Sequence, residues 1–161
     1  MATERIAIPE ERLGVLIGKD GCVKKEIEKA TNTRIDIGDD VEIEGKPLDV
    51  MIVVSIVKAI GRGFSPSEAM LLLDEKYELY VISLGKETRN TIKRLMGRVI
   101  GRKGAAKKKI EEITGVRISV YGKTVGIIGR ADQIENATRC IQLLLSGKTH
   151  EYAYHAIHAI G

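Results

Sequence analysis

The 161-residue sequence contains no long apolar run and only two cysteines. Apolar stretches such as residues 50–54 are far shorter than the roughly 18 residues that a membrane span needs, so no membrane segment is predicted. The first residues lack the basic start and apolar core of a secretory signal. Cys22 and Cys140 form no CxxC pair, and a lone disulfide is uncommon without secretion. We therefore expect a cytoplasmic protein in which both thiols are buried as small hydrophobic groups.

Catalytic and metal-binding signatures are also missing. There is no GxSxG, no HExxH and no paired acid motif near a plausible cleft. His150, His155 and His158 lie near the end of the chain without a cysteine or carboxylate at ligand spacing, which favours surface histidines over a metal site. We predict that the protein is not an enzyme and has no catalytic residue, no metal site and no cofactor.

Aromatic side chains are scarce, with no Trp, one Phe and five Tyr. RRM and OB-fold proteins stack nucleic-acid bases on exposed aromatic rings. The composition therefore argues against both of these folds.

Positive charge is abundant, but only in the second half of the sequence. The first 80 residues have a net charge of −5 and the rest +9, which together give the overall +4. Residues 86–109 contain ten Lys or Arg and a single acidic residue, Glu87. Such a run is typical either of a solvated helix face or of a surface that binds a polyanion, and charge alone does not separate the two.

An internal repeat provides a second, independent signal. Residues 14–37 and 97–120, which are offset by 83 positions, are identical at 11 of 24 positions without a gap. Both copies place a four-residue turn with glycine at each end between two predicted helices. The turns are Gly18–Gly21 and Gly101–Gly104, which we call the first and second GXXG turns. Two copies at this spacing predict two similar modules rather than a long solenoid.

Each module follows the predicted order β-α-α-β-β-α, so the fold class is α+β. We assign residues 1–63 to the first module, 64–76 to a linker helix, 77–147 to the second module and 148–161 to a C-terminal helical extension. The linker helix is predicted because Ser65, Pro66 and Glu68 have the spacing of a capping box with proline at the first helical position.

A turn of the form Gly-basic-x-Gly suits a phosphate chain. Glycine adopts left-handed dihedral angles and allows another backbone to approach closely. The N-terminus of the following helix directs unpaired N–H groups and its positive dipole end to the same place. The turns therefore predict binding of a single-stranded nucleic acid in the manner of a KH domain, whose GXXG loop clamps about four nucleotides.

The sequence around each turn resembles the KH signature. In the first copy, Ile17-Gly18-x-x-Gly21 precedes Lys25-x-Ile27 and an Arg-Ile strand, and the second copy repeats this pattern. Residues 57–66 and 97–104 further resemble the archaeal two-KH proteins of the Dim/Pno family, which are related to the eukaryotic partner of the Nob-type endonuclease.

This resemblance implies two tandem type I KH domains, each with a three-stranded antiparallel sheet packed on three helices. It implies binding of single-stranded RNA near the 3′ end of the small-subunit rRNA during ribosome assembly or rRNA maturation. It also implies a Nob-type endonuclease or another assembly or translation factor as a protein partner.

The predicted RNA-binding residues lie in and around the two turns. In the second module they are Arg98, Ile100, Gly101, Arg102, Lys103, Gly104, Lys107, Lys108, Arg117 and Ile118. In the first module they are Ile17, Gly18, Lys19, Gly21, Lys24 and Arg34. We expect Ile17 with Ile35, and Ile100 with Ile118, to form the apolar floor of a groove for unstacked bases.

The two modules are not expected to bind RNA equally. The two central residues of the second turn, Arg102 and Lys103, lie within the basic segment. In the first turn the equivalent residues are Lys19 and Asp20, so one of them is acidic. Asp20 either places a carboxylate on the phosphate path or caps the following helix, where a negative charge is favourable. We predict that the second GXXG turn is the main phosphate clamp. The alternative is a protein–protein adaptor in which the acidic first module docks a factor and RNA contact is secondary.

Overall fold

The computed structural model describes residues 1–158, so residues 159–161 of the predicted C-terminal extension lie outside the described part. The chain divides into two compact units: the first covers Met1–Glu75 and the second begins at Lys76. None of the helices within residues 1–158 is long and apolar enough to cross a membrane.

The first unit has the predicted order of elements. They are β1 (Ala2–Ile6), α1 (Glu10–Ile17), α2 (Cys22–Thr31), β2 (Arg34–Ile37), β3 (Val41–Gly45), α3 (Pro47–Gly61) and α4 (Pro66–Ala69). The first GXXG turn joins α1 to α2, and a 3₁₀ turn at Met70–Leu73 follows α4.

The second unit repeats this order and adds a final helix. Its elements are β4 (Tyr77–Ser83), α5 (Arg89–Ile100), α6 (Ala105–Thr114), β5 (Arg117–Tyr121), β6 (Thr124–Arg130), α7 (Ala131–Leu145) and α8 (His150–His158). The second GXXG turn joins α5 to α6. The predicted β-α-α-β-β-α order is therefore confirmed in both units.

Each unit contains a three-stranded antiparallel sheet with the last strand at its centre. The strand orders are β1-β3-β2 and β4-β6-β5. In the first sheet Ile35 faces Ile43 across the β2–β3 pair, and both side chains are fully buried. Alternate residues of these strands point into the core, and the helices of the same unit cover this face.

The end of α2, like the end of α6, is set by a residue with positive φ. Asn32 has φ 52° and Gly115 has φ 84°, and each amide returns to the carbonyl of the fourth residue before it, Glu28 and Glu111 respectively. A left-handed residue at this position ends a helix and turns the chain. Both helices therefore end at a residue with a left-handed backbone.

The segment after α3 forms the predicted capping box. Ser65 Oγ accepts from the amide of Glu68, whose carboxylate accepts from the amide of Ser65, with Pro66 at the first helical position. The helix is shorter than expected, because it has one α-helical turn followed by a 3₁₀ turn. Phe64 is fully buried and Leu72 is nearly so, and both belong to the first unit.

Candidate nucleic-acid interface

The two GXXG turns begin with a backbone conformation that requires glycine. Gly18 has φ 75° and ψ 174°, and Gly101 has φ 74° and ψ 175°. This region of dihedral space is almost exclusive to glycine. A Cβ at Gly101 would lie 2.7 Å from the amide nitrogen of Ala106, and one at Gly18 would lie 2.8 Å from that of Val23. The glycine therefore allows the next helix to start directly against the turn.

The third residue of each turn is left-handed although it is not glycine. Asp20 has φ 55° and Lys103 has φ 56°. Aspartate is one of the residues that tolerate this region, whereas lysine has no such preference. Lys103 is exposed, so its ammonium group lies at the surface of the turn.

Neither helix that follows a turn has a side-chain cap. The N-cap residues of α2 and α6 are Gly21 and Gly104, which have no side-chain oxygen to receive the first amide groups. Asp20 does not supply a capping hydrogen bond either, so of the two alternatives for this residue the structure does not show the helix cap. The first amide groups of each helix therefore have no side-chain acceptor, and the positive end of the helix dipole lies at the turn.

Charge distinguishes the two turns. In and directly after the second turn, five basic residues are present and acidic ones are absent: Arg102, Lys103, Lys107, Lys108 and Lys109. The equivalent residues 19–26 contain three lysines, Asp20 and Glu26. Arg102, Lys103, Lys108 and Lys109 are all exposed. The two turns therefore present the same backbone with very different potentials.

A recurring glutamate links each of these helices to its sheet, and sequence reasoning missed it. The Oε2 atoms of Glu28 and Glu111 accept from the amides of Ile35 and Ile118 respectively, both at 2.9 Å. The signal was present in the sequence, since this glutamate is one of the positions identical in both repeats.

The same glutamates engage two of the predicted RNA-binding lysines. Lys24 Nζ lies 3.2 Å from Glu28 Oε1, and Lys107 Nζ lies 3.8 Å from Glu111 Oε1. Both lysines are half-buried, in contrast to the exposed Lys108.

The predicted apolar floor is only partly present. Ile35 and Ile118 are 0% and 2% exposed, and their side chains belong to the cores. Their placement in the floor was wrong, because alternate strand residues face opposite sides of a sheet and these two face inward. Ile17 is 36% exposed and Ile100 is half-buried, so these two remain at the surface beside the turns.

The predicted arginines fall into two groups. Arg34 and Arg117 are exposed at the start of β2 and β5, where Arg34 Nε lies 3.4 Å from Asp36 Oδ2. Arg98 instead donates from Nε to the carbonyl oxygen of Leu144 at 2.8 Å and is half-buried. Its guanidinium therefore makes contacts within the protein.

The two cysteines differ in their surroundings. Cys140 is fully buried on α7, and desolvation raises the pKa of its thiol to about 11. Cys22 is exposed at the first position of α2, so the expectation that it is buried was wrong. The sequence pattern placed Cys22 on a helix but did not fix which side of the helix faces solvent.

Within residues 1–158, His, Cys, Asp and Glu form no cluster that could hold a metal ion.

These features define the class of protein. Each unit has a three-stranded antiparallel sheet and a GXXG turn between two helices, which is the type I KH arrangement. Residues 76–160 match the second-KH-domain model of the PNO1 type, described as a eukaryotic type KH domain (type I), and residues 3–59 match the KH domain model. The chain therefore belongs to the KH-domain family and carries two such domains.

Individual relatives give a narrower comparison. The chain is 42% identical to the KH domain-containing protein MJ0443 of Methanocaldococcus jannaschii over 160 residues, which is 94% of this chain and 70% of the relative. It resembles the crystal structure of Dim2p from Pyrococcus horikoshii OT3 with a TM-score of 0.91 and 44% identity, covering 99% of both chains.

A chain of the a/eIF2alpha-aDim2p-rRNA complex from the same organism matches with a TM-score of 0.92 and 44% identity, covering 99% of this chain and 93% of that one. The resemblance to archaeal two-KH proteins of the Dim/Pno family is therefore confirmed.

Proposed function

We propose that the protein binds single-stranded RNA, and specifically the small-subunit rRNA near its 3′ end, during ribosome assembly or rRNA maturation. The carrying observation is the second GXXG turn, which combines a glycine backbone, an uncapped helix N-terminus and exposed Arg102 and Lys103. The solved complex of the similar Dim2p contains rRNA, which supports this choice of ligand. The proposed role requires no catalytic step and places the protein in the cytoplasm with the assembling ribosome.

In this proposal the second turn is the main phosphate clamp. The phosphates would pass over Gly101–Gly104, where the N-terminus of α6 and the basic side chains favour negative charge. Lys108 and Arg117, both exposed, would add contacts to the backbone, and Ile100 would contact a base. Lys107 would also contact the RNA backbone, although its ammonium group is already paired with the carboxylate of Glu111. In the first unit Ile17, Lys19, Lys24 and Arg34 would make a weaker contact beside Gly18 and Gly21.

Charge reversal in each turn tests the ranking. Arg102→Asp/Lys103→Asp should lower the affinity for a 3′-end rRNA oligonucleotide at least about tenfold, because a hydrogen bond to a charged group contributes about 1.5–3 kcal/mol. The log–log salt slope should also become shallower by about 0.7 for every phosphate that is no longer neutralised. Binding is measured by fluorescence anisotropy over a salt series, with a uridine homopolymer of equal length for specificity.

Lys19→Asp should have a smaller effect than the double variant. Arg139→Asp, on the exposed face of α7, is the matched control for a single charge reversal and should bind like the wild type. Equal reductions in affinity for Lys19→Asp and the double variant would contradict the ranking of the turns. Unchanged binding of the double variant would contradict the clamp itself.

A specific observation also favours a protein contact on the first unit. Leu48 and Met51, on α3, are 74% and 66% exposed. The corresponding helix of the second unit is α7. When the two helices are aligned from their first residues, Asp132 and Glu135 occupy the positions of Leu48 and Met51. An apolar patch in place of a charged face is typical of a protein interaction site.

The complex of the similar Dim2p also contains a/eIF2alpha. We therefore propose a translation factor of this kind as the partner for the patch, with a Nob-type endonuclease as the other partner to test.

Leu48→Glu/Met51→Glu should abolish binding of a purified a/eIF2alpha subunit, as measured by calorimetry, and should leave the affinity for RNA unchanged. Ala30→Glu, at an exposed position on α2, is the control for an added negative charge away from the patch. Wild-type protein that binds neither factor would contradict the adaptor role, and an unaffected patch variant would contradict its location.

A further inference from the structure

The last turn of α5, directly before the second GXXG turn, is held by Arg98. Its Nε donates to the carbonyl oxygen of Leu144 at 2.8 Å, and its Nη2 donates to that of Lys148. These carbonyls lie at the end of α7 and just before α8. A cation at the C-terminus of a helix is favourable because the helix dipole is negative there. Arg98 therefore joins α5 to the point where α7 passes into α8.

The backbone of Arg98 makes a further contact with α8. The ring nitrogen Nε2 of His150 lies 2.9 Å from the carbonyl oxygen of Arg98. A carbonyl oxygen only accepts, so Nε2 carries the hydrogen. This carbonyl is one of the last four of α5, which have no partner within the helix. His150 therefore supplies the missing donor at the helix end that leads into the turn.

Helix α8 also contacts the helix on the other side of the turn. It packs on α7 and touches α6, and its Ala153 and Ile157 are buried in the core of the second unit. The two helices that flank Gly101–Gly104 are thus both held by the same C-terminal element. We call Arg98, His150 and α8 together the brace.

The first unit has an arginine with the same type of contact but at a different place. Arg12 Nε donates to the carbonyl oxygen of Ile60 at 2.7 Å, and Nη2 donates to that of Phe64 at 2.8 Å. Arg12 is in the first turn of α1, six residues before Gly18, whereas Arg98 is three residues before Gly101. In the repeat alignment Val15 stands opposite Arg98. An arginine contact of this kind therefore holds the helical turn directly before the second GXXG turn, whereas in the first unit it holds the start of the helix.

We propose that the brace positions the second GXXG turn for RNA, and that Arg98 is a positioning residue and not a phosphate contact. This inference rests on the proposed function of that turn. The guanidinium fork and the His150 N–H fix the end of α5, which sets the direction of the Gly101 backbone and of Arg102. The C-terminal helix thereby contributes to RNA affinity without touching the RNA.

The test separates the effect of the positive charge at position 98 from the effect of the two hydrogen bonds that Arg98 donates. Arg98→Lys keeps the charge but replaces two nitrogen donors with one, while Arg98→Ala removes both. Both variants should lower the affinity for the rRNA oligonucleotide about tenfold with an unchanged salt slope, since they remove charged hydrogen bonds within the protein and leave the phosphate interactions in place. Arg94→Ala, an exposed arginine one turn earlier on α5, is the matched control and should bind like the wild type.

A phosphate contact predicts the opposite pattern. Arg98→Lys would then bind nearly as well as the wild type, and Arg98→Ala would reduce the salt slope by about 0.7. Either result would overturn the proposal. His150→Phe keeps a ring beside Tyr154 but removes the donor, and should cost about threefold in affinity. This milder variant provides the test if Arg98→Ala does not fold.

Amide hydrogen exchange in the free protein separates this inference from the proposed function. The Gly101 amide donates to the carbonyl of Gly97 at 2.8 Å, so its exchange reports opening of the last turn of α5. Arg98→Lys should accelerate it about tenfold, while Arg94→Ala should not. If the wild type binds no RNA, the proposed function fails while the exchange data still test the brace. If exchange at Gly101 is unchanged in Arg98→Lys, the brace is wrong whatever the RNA result.

Discussion

The two KH units have nearly the same turn and different surroundings. The φ and ψ angles of Gly18, Asp20 and Gly21 agree within 2° with those of Gly101, Lys103 and Gly104. Yet only the second turn lies in a strongly basic segment. The helix before this turn is held by Arg98, and the helix after it contacts the C-terminal helix α8. The backbone therefore provides the capacity to approach a phosphate, while side chains and supporting helices decide how strongly each unit uses it.

The largest expected difference between the units is in thiol reactivity. Burial raises the pKa of Cys140 to about 11, which favours the neutral thiol, so at pH 8 only about one molecule in a thousand carries the reactive thiolate. Cys22 is exposed. Cys22 should therefore react with a thiol reagent at least about a hundredfold faster, as followed by mass spectrometry.

Labelling also reports which turn is occupied, because Cys22 directly follows Gly21. At an RNA concentration that just saturates the second turn, Cys22 should still be labelled at nearly its free rate. Cys140→Ala isolates the Cys22 signal. Strong protection of Cys22 at that concentration would mean that the first turn binds RNA as tightly as the second.

Next in size is the effect of a Cβ within the second turn. Gly101→Ala combines a backbone region almost exclusive to glycine with a 2.7 Å approach to the amide nitrogen of Ala106, and should cost about 3 kcal/mol in the free energy of unfolding. Gly104→Ala meets open space at φ 76°, and should cost only about 1–2 kcal/mol. Urea unfolding measures both, and equal costs would mean that the turn relaxes to accept the first substitution.

The smallest effect is expected from making the first turn resemble the second. Asp20→Lys places a lysine at φ 55°, a conformation that Lys103 already adopts. RNA affinity should rise roughly threefold and the salt slope should steepen by about 0.7 if the new ammonium meets a phosphate. Glu75→Lys, an exposed position at the end of the first unit, controls for the change in net charge. Equal gains for both variants would indicate a general charge effect.

Much of the fold could be predicted from local sequence. The repeat identified two modules, and the Ser65–Glu68 capping box and the helix ends at Asn32 and Gly115 depend only on neighbouring residues. The candidate site was predicted less completely. Ile118 was expected at a groove and lies in the core, and Arg98 was expected at RNA and bonds to α7. Both differences concern where a side chain points, which depends on partners distant in the chain.

Two similar modules with glycine turns, and a strongly basic second turn, could be read from the amino-acid order alone. These properties follow from spacing, residue type and local backbone preference. The exposure of each basic group became visible only in the folded chain, where some of them contact Glu28, Glu111, Leu144 or Lys148. Packing of the whole unit fixes the rotation of each helix and the register of each strand. The same spacing of lysines and arginines can therefore direct a side chain to solvent in one unit and to a carbonyl oxygen in another.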